Sequence, residues 1–179
     1  LKIDPTISFS GIGGKKLMEA GVDIVYPSSL LSVVGFTEVF ISLIDILKGL
    51  STIKRHIRNT CPQVLILIDF PDFNFLVAAH AKKHHVKILY YISPQLWAWR
   101  SGRIRKIKKY VDQMAVILPF EESYYRKRRV NVTYVGHPLL DNNYKQISPG
   151  TYKPENKENN VTYVGLLPGS RNKEINNLL

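Results

Sequence analysis

The chain has 179 residues, 45% hydrophobic and 22% charged, a make-up that suits a globular protein with a sizeable core and excludes a disordered chain. Its 25 Lys and Arg against 14 Asp and Glu leave a formal charge of +11, which points to an anionic partner: nucleic acid, anionic lipid or a phosphorylated small molecule. Cys61 is the lone cysteine, so an internal disulfide and a C-x-x-C zinc or redox pair are excluded, in keeping with a reducing cytoplasm. Leu1-Lys2-Ile3-Asp4-Pro5 has no signal-peptide pattern, and no uninterrupted apolar run reaches the ~20 residues of a membrane-spanning helix.

Thr6-Ile7-Ser8-Phe9-Ser10 reads as a strand that ends in a turn at Gly11-Ile12-Gly13-Gly14, followed by a short helix over 15–20 that Gly21 stops. The glycines match neither a Walker loop nor a G-x-G-x-x-G dinucleotide fingerprint. From Phe36, the residues Val39, Phe40, Leu43, Leu47, Leu50, Ile53 and Ile57 recur at spacings of three and four, the mark of a long amphipathic helix. Ile41, Ile44 and Ile46 broaden its apolar face, and Lys48, Lys54, Arg55 and Arg58 gather toward its end. Two readings stay open: a core helix with a solvated basic end, and an interfacial surface for an anionic bilayer.

Leu65-Ile66-Leu67-Ile68 is a run that suits a strand covered on both faces, as in a parallel sheet. From there the pattern is regular. Strand Val64–Ile68 leads to a helix over 74–83, a strand over 87–92 to a helix over 103–110, a strand over 113–118 to a helix over 121–128, and a strand over 132–135 follows. Strands and helices alternating in this way predict right-handed βαβ units around a parallel sheet, and the expected class is α/β. Residues 141–160 are rich in Asn, Ser, Pro and Gly and read as a linker after a first domain at 1–140. Val161-Thr162-Tyr163-Val164-Gly165-Leu166-Leu167 then begins a strand, Pro168-Gly169-Ser170-Arg171 a turn and Asn172 a helix, so 161–179 read as the opening of a second, cut-off domain.

In an open parallel sheet the loops at the carboxyl ends of the strands share one ligand-binding edge. Here those loops are Asp69 to Asn74, Ser93 to Trp99, Pro119 to Glu121 and Gly136-His137-Pro138. Asp69 closes a strand that can aim it into the crevice, where partial burial would raise its proton affinity, and it is the candidate general base. Asp72 follows Pro71, and a helix N-cap role explains it equally well. Asn74 is a helix-start residue or a sugar-hydroxyl partner. Trp97 and Trp99 suit sugar rings or acyl chains, or plain packing. Ser93, Glu121 and His137 complete the candidate substrate-binding set, and Gly169, Ser170 and Arg171, at a helix start, suit a diphosphate. No His or Cys set has metal-ligand spacing, so no metal and no cofactor is expected. The basic stretch 100–109 suits phosphates of lipid or nucleic acid, or a solvated helix face.

Taken together, Ser10-Gly11-Ile12-Gly13-Gly14, Ser32-Val33-Val34-Gly35-Phe36-Thr37-Glu38-Val39, Ile68-Asp69-Phe70-Pro71-Asp72-Phe73-Asn74, Ile92-Ser93-Pro94-Gln95-Leu96-Trp97-Ala98-Trp99-Arg100, Leu118-Pro119-Phe120-Glu121, Gly136-His137-Pro138 and Leu166-Leu167-Pro168-Gly169-Ser170-Arg171 resemble the lipid-A-disaccharide synthase family. The resemblance implies a bacterial inverting glycosyltransferase of the GT-B type with two Rossmann-like domains, the N-terminal one nearly complete here but lacking its first strand, the C-terminal one only begun. It implies UDP-2,3-diacylglucosamine and 2,3-diacylglucosamine 1-phosphate as substrates, lipid A disaccharide 1-phosphate and UDP as products, no metal in the chemistry, and a peripheral place on the inner face of the bacterial inner membrane. A homodimer stays open. Asp69 would take the proton of the acceptor 6-hydroxyl, Arg171 with Gly169 and Ser170 would hold the UDP diphosphate, and Trp97 and Trp99 would lie toward the acyl chains. These residues alone are expected to be inactive. The rival readings are another UDP-N-acetylglucosamine enzyme of GT-B type, either a peptidoglycan transferase or a 2-epimerase, and a nucleic-acid-binding domain, which leaves the acidic edge unexplained.

Overall fold

The computed structural model describes residues 4–31, 39–97 and 101–140. The chain divides into two units, Leu1–Asp141 and Asn142–Leu179. The linker expected at 141–160 and the strand, turn and helix start expected beyond it lie outside the described residues, as do the motif residues 32–38.

The first part pairs two short parallel strands, β1 (Ser10–Gly13) and β2 (Asp23–Pro27), around the helix α1 (Lys15–Glu19). The glycines expected to form a turn are therefore strand, and the chain turns only at Gly14. At Gly13 a Cβ would stand 2.7 Å from Leu17 Cδ1 and 2.9 Å from Ile24 Cδ1, so a side chain there would have to push the Leu17 and Ile24 side chains aside where α1 folds back on β1. The sequence reading also passed over β2, although its Ile24-Val25-Tyr26 core is β-prone and is bounded by Gly21 and Pro27. Tyr26 donates its hydroxyl to the Asp45 carbonyl at 2.9 Å, tying β2 to the helix α2 (Val39–Thr60).

The larger sheet has four parallel strands in the order β3 (Val64–Ile68), β4 (Lys87–Tyr91), β5 (Gln113–Val116) and β6 (Val132–Tyr134). The helices α3 (Pro71–Lys83), α4 (Ile104–Tyr110) and α5 (Pro119–Arg126) make the crossovers. The expected α/β class and parallel sheet are present. Register places Leu65 beside Ile88, Leu67 beside Tyr90 and Tyr90 beside Met114, so these side chains share one face. That face joins Leu50, Ile53 and Ile57 of α2 and Phe75, Val77, Ala78 and Ala81 of α3 in the core. Ala78 and Ala81 are fully buried, and their small side chains let α2 and α3 approach closely.

One expectation fails. Among the described residues β3 is not covered on both faces: Val64, Ile66 and Ile68, which alternate with buried Leu67, are 51%, 43% and 49% exposed. A run of four aliphatic residues cannot show by composition that only one of its two faces finds a partner.

Lys82, in the last turn of α3, donates to both carboxylate oxygens of Asp112 at 2.7 Å, and Asp112 also accepts the Ile88 N–H at 2.8 Å. This ties the end of α3 to the starts of β4 and β5. Burial pushes the Asp112 carboxyl up, but the Lys82 hydrogen bond, the Ile88 N–H and the charge of Lys82 outweigh it and hold the group below the usual aspartate value. A lowered carboxyl pKa gives stability that is complete above the ordinary value of about 4 and is lost as pH falls through the lowered one. Asp112→Asn should therefore cost about 1 kcal/mol at neutral pH, the partial exposure of both groups keeping the figure small, and should remove part of the loss of stability on acidification. Urea denaturation across acidic and neutral pH checks both.

Candidate functional site

Because β3 to β6 are parallel, their carboxyl ends bring Asp69, Ser93, Pro119 and Gly136 to one edge. The backbone there is unusual. Among non-glycine residues with positive φ, Cys61, His85 and Arg129 lie just past the ends of α2, α3 and α5, where a left-handed residue is an ordinary way to stop a helix. Asp69 (φ 47°), Phe70 (φ 40°) and Ile92 (φ 61°) have no such explanation, for they follow β3 and β4 directly. Each left-handed non-glycine residue costs about 1–2 kcal/mol, and such strain is characteristic of ligand-binding edges.

After β3 the chain leaves through Asp69 and Phe70 and enters α3 at Pro71, whose fixed φ suits a first helical position. Phe70 is the N-cap, not Asp72. Asp72 stands in the first turn, where the helix dipole favours an anion, and pairs with Arg103 at the start of α4. Asn74 turns its side chain back on the loop: Nδ2 donates to the carbonyl of Asp69 at 2.5 Å and to that of Ile68 at 3.1 Å. Tyr90, fully buried, donates its hydroxyl to the same Asp69 carbonyl at 2.7 Å. Burial pushes the Tyr90 phenol well above its ordinary value, so it remains a protonated donor. The hydrogen bonds in this loop fall on the backbone of Asp69, and the residue itself is exposed, not partly buried as expected.

A second group forms around Glu121, at the third position of α5. Its Oε1 accepts from Ser93 Oγ at 2.6 Å and from Trp97 Nε1 at 3.2 Å, and its Oε2 accepts the Leu118 N–H at 3.1 Å. Glu121 is 2% and Ser93 6% exposed, so both face each other inside the protein and not the open edge. Tyr125 donates to the Pro94 carbonyl at 3.0 Å and Tyr124 to that of Leu96 at 3.3 Å, so α5 holds the whole 93–97 loop. Trp97 emerges from it 41% exposed and meets the half-exposed Phe120 edge to face at 5.0 Å.

His137 follows the left-handed Gly136 and accepts the Leu139 N–H on Nδ1 at 3.2 Å, a contact within its own turn. It lies beyond β6, three strands from β3, or about 14 Å across the sheet. The structure thus gathers Asp69, Asp72 and Asn74 in one group and Ser93, Trp97 and Glu121 in another, with His137 at the far side. Trp99, Gly169, Ser170 and Arg171 lie outside the described residues. Sequence reading missed Tyr90 altogether and counted Arg103 only in a basic run. The signal available for Tyr90 was a tyrosine in a buried strand, whose hydroxyl must find an acceptor.

A parallel α/β sheet with a strained, polar carboxyl edge defines the class as an open-sheet ligand-binding fold. Comparison with known proteins then gives the family. The model of the family described as lipid-A-disaccharide synthetase matches residues 2–179, and the chain belongs to that family. It is 49% identical over 180 residues to the lipid-A-disaccharide synthase of Geobacter metallireducens, an alignment that takes in 98% of this chain and 46% of that protein. It is 48% identical to the synthase of Syntrophus aciditrophicus, covering all of this chain and 47% of the relative, and 45% identical to that of Coxiella burnetii, covering 99% and 47%. The chain therefore spans a little under half the length of these relatives.

Glu121→Ala would leave the Ser93 hydroxyl, the Trp97 N–H and the Leu118 N–H without their shared acceptor. In the full-length protein it should cost about 3 kcal/mol in chemical denaturation and shift tryptophan emission to the red, while Glu122→Ala, on the exposed side of α5, should do neither.

Proposed function

We propose that this chain forms the acceptor side of an inverting hexosyltransferase of lipid A biosynthesis, which condenses UDP-2,3-diacylglucosamine with 2,3-diacylglucosamine 1-phosphate. The acceptor 6-hydroxyl gives its proton to Asp69 as its oxygen bonds to the anomeric carbon. The bond from that carbon to UDP breaks, its electron pair leaves on the diphosphate, and the anomeric configuration inverts. Arg171, with Gly169 and Ser170, stabilises the charge developing on the leaving diphosphate. The observation that carries this reading, in a chain of this family, is the exposed Asp69 at the strained end of β3. Its neighbour Asp72 is taken up in an ion pair with Arg103.

Asp69→Asn in the full-length enzyme should lower kcat by about 10²- to 10⁴-fold with the circular dichroism spectrum unchanged. UDP release measures the turnover, and near-normal turnover would remove Asp69 from the role.

The lipid substrates call for contact with a bilayer, and α2 supports a surface for it. Leu43, Ile44 and Leu47 are 53%, 54% and 55% exposed, and on a helical wheel they share a sector with Lys54, Arg55 and Arg58. No helix among the described residues is long and apolar enough to cross a membrane. The reading is peripheral attachment to the inner face of the bacterial inner membrane. Replacing Leu43, Ile44 and Leu47 together by Ser should abolish co-sedimentation of the full-length protein with phosphatidylglycerol vesicles and leave its melting temperature nearly unchanged. Undiminished co-sedimentation would place the membrane contact elsewhere.

A further inference from the structure

We propose that Asn74 is a positioning residue for Asp69, acting with Tyr90, and not a ligand of the sugar. The inference rests on the reading of Asp69 as the base. Asn74 is 9% exposed, and its amide nitrogen is taken up by the carbonyls of Ile68 and Asp69, at 3.1 and 2.5 Å. Two carbonyl acceptors on one side fix the orientation of the amide, since its own oxygen would be repelled there. The Tyr90 hydroxyl reaches the Asp69 carbonyl from β4 at 2.7 Å. One carbonyl thus takes two buried donors, at a residue whose φ of 47° is strained.

The geometry has a direct consequence. With its carbonyl held from two sides and its φ set, the Asp69 Cα–Cβ bond has one direction, and the carboxylate is limited to the few positions that rotation about that bond allows. Without the clamp, Asp69 and Phe70 would relax toward ordinary φ, and the direction of that bond would swing with them. A displacement of about 1 Å at a reacting group is enough to lower a rate about a hundredfold. The Asn74 backbone shares in the arrangement, its N–H donating to the Phe70 carbonyl at 3.1 Å as the first turn of α3 closes.

The test is a double-mutant cycle in the full-length enzyme, followed by UDP release, with melting temperature as the check on folding. Asn74→Asp keeps the shape but replaces the donor with a carboxylate oxygen that faces the two carbonyls. It should lower kcat by about a hundredfold with KM within about twofold, and Asn74→Asp in the Asp69→Asn background should cause no further loss. Tyr90→Phe, which keeps the buried ring and removes one donor, should lower kcat about fivefold and likewise have no effect without Asp69; it carries the test if Asn74→Asp does not fold. A raised KM with kcat retained, or losses that multiply in the double variant, would show Asn74 acting on substrate by its own contact and would overturn the proposal. Full activity of folded Asn74→Asp and of Tyr90→Phe beside a disabled Asp69→Asn would overturn it while leaving Asp69 as base. An active Asp69→Asn enzyme would remove both.

Discussion

The edge of this sheet depends on a conformational conflict at Asp69 and Phe70. A strand must be left sharply if the next helix is to start against the same sheet, and glycine is the residue that makes such a turn without strain. Here two residues with side chains make it, at φ 47° and 40°. The strain is offset locally. Pro71 supplies its fixed φ as the first residue of α3, Phe70 stacks on Phe73 with ring centroids 5.5 Å apart, and the Asp69 carbonyl takes hydrogen bonds from Asn74 and Tyr90. Each such bond contributes about 1 kcal/mol, comparable with the cost of one left-handed residue. Glycine at position 69 would be easier for the backbone, but it would carry no carboxylate.

The loop after β4 meets a related problem in another way. Ile92 is also left-handed, a costly state for a β-branched residue, and its N–H donates to the Ala115 carbonyl at 3.1 Å. Beyond it the loop closes on itself once, the Leu96 N–H donating to the Pro94 carbonyl at 2.6 Å. α5 holds it, through the Glu121 carboxylate and the hydroxyls of Tyr124 and Tyr125. Glu121 shows how one residue can serve local and tertiary structure together: one oxygen accepts the N-cap N–H of its own helix, and the other accepts from Ser93 and Trp97 of the neighbouring loop. The start of α5 and the 93–97 loop are thus tied together, and Trp97 is exposed from a fixed base.

Of the strands of the larger sheet, β3, β4 and β6 were legible as short runs rich in aliphatic or aromatic residues, β3 over Val64–Ile68 as read, while β5, Gln113-Met114-Ala115-Val116, was legible from its place in the alternation of strands and helices. The paired strands β1 and β2 were less so. A glycine-rich segment reads as a turn until Leu17 and Ile24 are seen to need the space a side chain at Gly13 would fill. Asp69 and Asp72 could be singled out, and Asp69 preferred as base, from their place after a strand, but the sequence could not show that one is held by its side chain and the other by its backbone. That division rests on Arg103, distant along the chain, and on a parallel register that sets Tyr90 beside Leu67, within reach of the end of β3. Glu121 and Ser93 carry the residue types of a binding site, and only the fold shows that they bind each other.

The two carboxylates of the edge also differ in how they are held. Asp72 pairs with Arg103, an arginine 15% exposed at the head of the helix that carries Arg105, Lys106, Lys108 and Lys109. The pair anchors the start of this basic helix to the start of α3. At Asp69 it is the backbone carbonyl that takes hydrogen bonds, from Asn74 and Tyr90. The edge thus holds one aspartate by its side chain, through an ion pair between two helices, and the other by its backbone, through two donors from α3 and β4.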